Sequence, residues 1–189
     1  MSNGRVNQKL RTRNEIIRAA VDLMRTGRDV TMLDIAKAAL VSEATAYRHF
    51  PDLASLLSEA MVGQMPAPAD ALASVADSTD PVERIAVATE KLLRHVLAFQ
   101  GAARAMIAAT ITRPATVRTR PGLRFGLIDH ALAPLPDTDA VRQLKNDLAI
   151  VLSAEALFSL TDLCGFDPEA AIASVVHTAT TLTRAALPA

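Results

Sequence analysis

Between Thr31 and Phe50 the chain reads TMLDIAKAALVSEATAYRHF, two short helical patterns meeting at a tight turn, and no other stretch restricts the fold so strongly. Thr31, with Asp34 three positions on, is a helix start in which each side chain can cap the other's backbone. Ile35, Ala36 and Ala39 give that helix one apolar face, and Leu40 and Val41 form the turn. Ser42 then caps a second helix whose Ala46 and Phe50, one turn apart, point inward. Glu43, Thr45, Tyr47, Arg48 and His49 are left on the outer faces. The pair is a helix-turn-helix, and its outward set is the part available for recognition.

The flanking sequence supplies what such a pair packs on. From Leu10 to Thr26 the apolar residues Ile16, Ile17, Ala20, Val21 and Met24 recur at helical spacing, and Gly27 is a natural stop. Residues 1–9 lack that period and carry Arg5 and Lys9, with Arg11 and Arg13 close behind. They read as a mobile basic arm, either plain terminal disorder or a phosphate or minor-groove contact. Phe50-Pro51-Asp52 breaks the chain and lets Asp52 cap a helix from Leu53 to about Met65.

Beyond that point the pattern is helical wherever it is periodic. Pro66 to Thr79 reads as a loop with room for a helical turn at Asp70–Ala76. Asp80-Pro81-Val82-Glu83 is a strong start signal, followed by the stripe Ile85, Leu92, Leu93, Val96 and Phe99. Gly101 precedes an Ala-rich helix to about Thr112 that Pro114 closes, and Arg118, Arg120 and Pro121 fall in a bend. A helix from Gly122 to about Ala133 ends at Pro134 and Pro136. Asp137 caps a long helix from Thr138 to about Leu163, Gly165 stops it, and Asp167-Pro168-Glu169 starts a last helix to Leu187. No hairpin signal or alternating run occurs, so the expected class is all-α with about nine helices and no repeat. The expected division is an N-terminal arm and three-helix helix-turn-helix domain over residues 1–52, then a C-terminal helical domain over 53–189.

Composition excludes several classes. At 189 residues and 50% hydrophobic content the chain can bury a substantial core. The richest apolar run, Leu148–Leu163, is interrupted by Ser153, Glu155, Ser159, Thr161 and Asp162, so no membrane span is expected. The N-terminus lacks the apolar core of a signal peptide, so a cytoplasmic location is expected. The single Cys164 excludes an intrachain disulfide and reads as a small packed residue near a helix end. Net charge is zero, yet residues 1–50 hold nine Lys or Arg against five Asp or Glu, a surplus of four positive charges that the remainder cancels. His49, His95, His130 and His177 lie far apart without metal-type spacing, and nucleophile-elbow, P-loop and zincin motifs are absent. The expectation is a binding protein rather than an enzyme, with no cofactor and no metal.

The first 60 residues resemble the TetR family of bacterial transcriptional regulators. The resemblance is carried by Ile16 through Ala20, Gly27, Thr31, Asp34-Ile35-Ala36, Val41-Ser42, Ala44-Thr45, Tyr47, His49-Phe50 and Leu56, in order and spacing. It implies that the helix from Ser42 to Phe50 enters the major groove of a double-stranded DNA operator while the helix from Thr31 lies over the backbone. The implied DNA-binding residues are Thr31, Ser42, Glu43, Ala44, Thr45, Tyr47, Arg48 and His49. Their chemistry suits the task. The hydroxyls of Thr31 and Ser42, with Tyr47 and His49, can meet phosphates, and Ala44 permits close approach. Thr45 can meet a thymine methyl or a phosphate, and Arg48 a guanine. Glu43 either accepts from cytosine or stabilises its helix N-terminus. Many members have glycine where Leu40 stands and lysine where Asp52 stands, so the turn must do without glycine and Asp52 should cap rather than meet a phosphate.

The last two helices suggest the assembly. Leu148, Val151 and Leu152 on one, and Ile172, Val175, Val176, Ala179 and Leu182 on the other, form more apolar surface than one chain is expected to bury. Pairing with a twofold copy makes a four-helix bundle, the family's arrangement, and a homodimer with recognition helices roughly 34 Å apart. A small-molecule effector of unknown identity would bind among the helices from Asp80 to Ala133. Its candidate lining is Phe99, Met106, Phe125 and Phe158, with His95, Arg104 and His130 as polar partners. The function so implied is a ligand-responsive repressor. The alternatives are a protein-interaction module of the same fold and, further off, an all-α enzyme or ligand carrier.

Overall fold

The computed structural model describes residues 3–112 and 122–187, with side chains from Val6 onward. Pro114, Arg118, Arg120 and Pro121, assigned above to a helix end and a bend, lie outside the described residues, as does the side chain of Arg5. Among the described residues there are eleven α-helices and no strands. They are α1 (Asn3–Met24), α2 (Met32–Ala38), α3 (Glu43–His49), α4 (Leu53–Ala60), α5 (Pro68–Ala71), α6 (Pro81–Ala98), α7 (Gln100–Thr112), α8 (Leu123–Ala131), α9 (Asp139–Val151), α10 (Ala154–Phe158) and α11 (Pro168–Ala186). None is long and apolar enough to cross a membrane.

The chain forms two compact units, one from α1–α4 with α7, the other from α5, nearly all of α6, and α8–α11. In the first, Ile16, Ala20 and Met24 of α1 meet Ile35 and Ala36 of α2, Ala46 and Phe50 around α3, and Leu56, Leu57 and Ala60 of α4. Phe99, Ala102 and Met106 close this core from the α7 side. Helix α1 is the hub, packing on α2, α4 and α7. Full burial of an anchor such as Phe50 is worth about 2–3 kcal/mol, which a two-turn helix cannot obtain from its own hydrogen bonds. Helix α4, expected with the C-terminal region, turns its buried face to α1 and α7.

Several boundaries differ from expectation, each for a local reason. The segment read as a mobile arm continues α1 back to Asn3. Val6 to Lys9 are exposed and need no apolar period, and extending an anchored helix is cheap once nucleation is done. Gly27 stops the same helix with φ +70°. The expected single helix Thr138–Leu163 is divided at Leu152, whose ψ of 69° is non-helical. Buried Ser153 then caps α10 by accepting from the Ala156 N–H at 3.1 Å. Helix α10 runs on into a π-helical turn, Ser159–Leu163, closed before Gly165 at φ +71°. Helix α9 is capped by Thr138 and not by Asp137, whose carboxylate pairs with Arg142 at 2.7 Å. The loop after α4 contains α5 and a 3₁₀ turn, Ala73–Val75.

In the second unit Leu72, Ile85, Leu92, Leu127, Ile128, Leu144, Leu148 and Leu152 form the core. Arg84 is buried in the same unit: Nε donates to the Ala131 carbonyl at 2.8 Å, Nη1 to Val75 at 2.8 Å and Nη2 to His130 at 2.7 Å. One guanidinium thus ties α6 to the end of α8 and to the 3₁₀ turn. Helix α11 packs on α9, and Leu148, Leu152, Ile172, Val175 and Ala179 are buried within the single chain. That corrects the premise that one chain leaves this surface uncovered. Only Val151, Val176 and Leu182 of the eight stay half-buried.

Candidate nucleic-acid interface

Two capped helices and their turn build the site. The Thr31 hydroxyl accepts from the Asp34 N–H at 3.1 Å, and the Asp34 carboxylate takes the Thr31 hydroxyl at 2.5 Å and its N–H at 3.3 Å. The hydroxyl proton of Thr31 is therefore committed to its own cap. Across the turn the Val41 N–H reaches the Ala36 carbonyl at 2.9 Å, with Leu40 between them at φ +55°. Leucine thus adopts the left-handed conformation that glycine takes without cost. Its side chain is 93% exposed and gains no packing in return.

Ser42 caps α3 by accepting from the Thr45 N–H at 3.2 Å. The hydroxyls of Ser42 and Thr45 lie 2.9 Å apart, and Arg48 Nη2 donates to Thr45 Oγ1 at 3.2 Å. These three residues form one hydrogen-bonded row along α3, their i, i+3 spacing placing them on one face. Ala46 is fully buried and Phe50 nearly so, while Ser42, Glu43, Ala44, Tyr47 and Arg48 are exposed and Thr45 and His49 half-buried. Asp52 caps α4 by accepting from the Ser55 N–H at 2.7 Å.

Beside this face a cleft of about 480 Å³ is lined by Gln8, Lys9 and Thr12 of α1 and by Thr45, Arg48 and His49 of α3. All six can donate a hydrogen bond, and none is acidic. Two other clefts of the same unit carry carboxylates, Asp29 and Asp34 in one and Glu15 and Asp22 in the other. Burial, then the charges of Lys9, Arg48 and Arg13, hold the His49 imidazole below its usual pKa. Positive potential is therefore concentrated at this cleft. Its Nδ1 is buried without a hydrogen-bond partner among the described residues. Gln8 was missed in the sequence because residues 1–9 were read as an arm, and Thr12 because the helix was started only at Leu10. As a helix, their spacing of four puts them on one face.

The candidate effector residues fall in both units. Phe99 and Met106 are buried in the first core, with Arg104 half-buried on α7. His95, Phe125, His130 and Phe158 belong to the second unit. Phe158 is buried, Phe125 exposed with the Arg124 guanidinium 5.2 Å from its ring centroid, and the half-buried His130 lends its carbonyl to Arg84. Burial lowers the pKa of His95.

Residues 16–60 match the family model described as bacterial regulatory proteins, tetR family. The chain is also similar to the crystal structure of a TetR transcriptional regulator from Rhodococcus sp. RHA1, with 22% identity, a TM-score of 0.57, and coverage of 92% of this chain and 96% of that one. At that identity the likeness is one of fold. No curated protein sequence matches the chain. The helix-turn-helix region thus matches the model of the tetR family, and the fold of the chain is similar to that of a TetR regulator.

Proposed function

We propose that the chain is a DNA-binding transcriptional regulator that inserts α3 into the major groove of a palindromic operator as a homodimer. The observation that supports it best is the union of two surfaces: the hydrogen-bonded row Ser42, Thr45 and Arg48 and the carboxylate-free cleft between α1 and α3. Arg48 leaves Thr45 to reach a base edge, Thr45 and Ala44 lie against the groove wall, and Lys9, Gln8, Thr12 and His49 hold a backbone phosphate. Ser42 and Tyr47 add phosphate contacts, while Thr31, its hydroxyl proton taken by Asp34, contributes as an acceptor or through its cap geometry. Glu43 sits at the first turn of α3, where it favours the helix dipole.

The protein acts in the cytoplasm as a repressor, with no catalytic step, and a small molecule releases it from DNA. Dimerisation uses the outer faces of α9 and α11, where Val151, Val176 and Leu182 retain accessible surface and Ile150 is 75% exposed. The effector binds among the helices of the second unit near His95, Phe125, His130 and Phe158.

Titrating the protein onto a duplex spanning its own promoter region, and onto a scrambled duplex, tests the reading. The expected result is preference for the promoter, with affinity falling linearly in log salt by about 0.9 per phosphate neutralised. No retention of either duplex at low salt would favour a protein-interaction module of the same fold.

A further inference from the structure

We infer that Arg13 is a positioning residue for the recognition helix, and that its ion pair with Glu59 makes DNA reading depend on α4. The inference rests on the proposed role of α3 in reading DNA. Arg13 lies on α1, yet its guanidinium engages two other elements and the junction between them. Nη1 donates to the carbonyl of His49, the last residue of α3, at 2.8 Å. Nη2 forms an ion pair with the Glu59 carboxylate on α4. The plane lies over the Phe50 ring, 4.1 Å from guanidinium carbon to centroid.

Each interaction acts on the same end of α3. The final carbonyls of a helix have no partner inside it and carry its negative pole, so a cation donating to His49 both caps and stabilises that end. Phe50, fully packed beneath, gives the cation a fixed aromatic face. Helix α3 has only seven residues, and its orientation is set by anchors at its two ends. Ser42 holds one end and Arg13 the other. Tyr47, Arg48 and His49 all lie in the last turn, next to the Arg13 anchor.

Glu59 fixes which way the guanidinium points. A planar cation with two defined acceptors and a stacking face has one favoured orientation, whereas lysine satisfies one acceptor at a time. Withdrawal of the Glu59 carboxylate, by substitution or by movement of α4, therefore loosens the grip on His49. The pair is partly exposed, with side chains 32% and 41% accessible, so its contribution lies in orientation more than in stability.

Simple electrostatics makes the opposite forecast, which renders the inference testable. Glu59→Gln removes a negative charge from the DNA-facing unit, and charge alone would strengthen binding. The expected outcome is weaker binding, by about tenfold, the size of one lost charge-assisted hydrogen bond. The probe is a duplex enriched from a random pool by the wild-type chain, with a scrambled duplex as control. Arg13→Lys, which keeps the charge, should weaken binding in the same direction. In both variants the salt slope should stay at the wild-type value, because no phosphate contact is removed, and the scrambled duplex should bind as before.

Tyr47 supplies a readout without DNA. It is the single tyrosine of a chain with no tryptophan, and it lies on α3. Its fluorescence anisotropy in the free protein should fall in Glu59→Gln and Arg13→Lys while the far-ultraviolet circular dichroism keeps its helical amplitude. Equal or tighter binding of the enriched duplex by Glu59→Gln, or unchanged Tyr47 anisotropy in both variants, overturns the inference and leaves the DNA-binding role standing. A wild-type chain that enriches no duplex removes that role and this inference together.

Discussion

Gly101 on α7 approaches the carbonyl oxygen of Arg28 so closely that a Cβ placed on it would lie 2.2 Å from that oxygen and 2.8 Å from the carbonyl carbon. Both obstacles are backbone atoms, which cannot swing aside as a side chain can. The segment they belong to leads through buried Val30 into α2, so α7 is seated directly on the approach to the helix-turn-helix. Gly101→Ala must displace that loop, at a cost of about 1–3 kcal/mol. Urea unfolding monitored by circular dichroism measures it, and unchanged stability would contradict this packing.

Leu40 offers the opposite case, a position where a smaller residue should help. Its φ of +55° lies where β-carbon crowding costs about 1–2 kcal/mol, and a side chain 93% exposed has no burial to lose. Glycine removes the strain but adds freedom to the unfolded chain, offsetting part of the gain. Leu40→Gly should therefore raise stability by about 0.5–1 kcal/mol in thermal or urea melts. A loss of stability would mean that the leucine side chain makes contacts in the native state after all.

Arg84 holds the second unit through carbonyls alone. Replacing it with methionine fills much of the volume but leaves the carbonyls of Ala131, Val75 and His130 without their donor. Stranded buried acceptors cost about 1–3 kcal/mol each, so Arg84→Met should destabilise by about 3 kcal/mol or more. Hydrogen exchange should show faster opening of the helices that it joins. A melt within about 1 kcal/mol of wild type would refute the clamp.

If His49 holds a DNA phosphate as proposed, DNA affinity should depend on pH. Its pKa is lowered by burial and by Lys9, Arg48 and Arg13, so the imidazole is neutral at pH 7 in the free chain. The unfolded chain holds the proton more tightly, so acidification below about 6.5 costs stability as pH falls towards the folded value. A DNA phosphate in the cleft has the reverse effect, since it favours the imidazolium. Binding then takes up a proton, and affinity relative to a His49→Gln variant should rise between about pH 7.5 and about pH 5.5. A ratio of affinities independent of pH would place the phosphate elsewhere.

The local features of this molecule were legible in its sequence and the tertiary ones were not. Thr31, Ser42 and Asp52 cap where their spacing placed them, and Gly27 and Gly165 take positive φ at the expected stops. Such signals lie within four residues of their effect. The break at Ser153 escaped because apolar residues continue on both sides of it, and a serine between Leu152 and Ala154 reads as well inside a helix as at its start. The stripes of α9 and α11 were visible, but periodicity records that a face is buried and not by what. Leu148 and Val175 face their own chain's core, so the apolar excess that suggested a partner was largely internal. Arg13 and Glu59, 46 residues apart, could not be paired from sequence spacing at all.

The central claim is that α3 reads DNA with its outer face, and selection from a random duplex pool tests it most directly. The wild-type chain should enrich an inverted repeat with half-sites about one helical turn, roughly 34 Å, apart. Arg48→Ala should lose preference at one base pair in each half-site, whereas Lys9→Ala should weaken all duplexes alike. Enrichment of no sequence by the wild-type chain, or identical base preferences from Arg48→Ala, would contradict the claim.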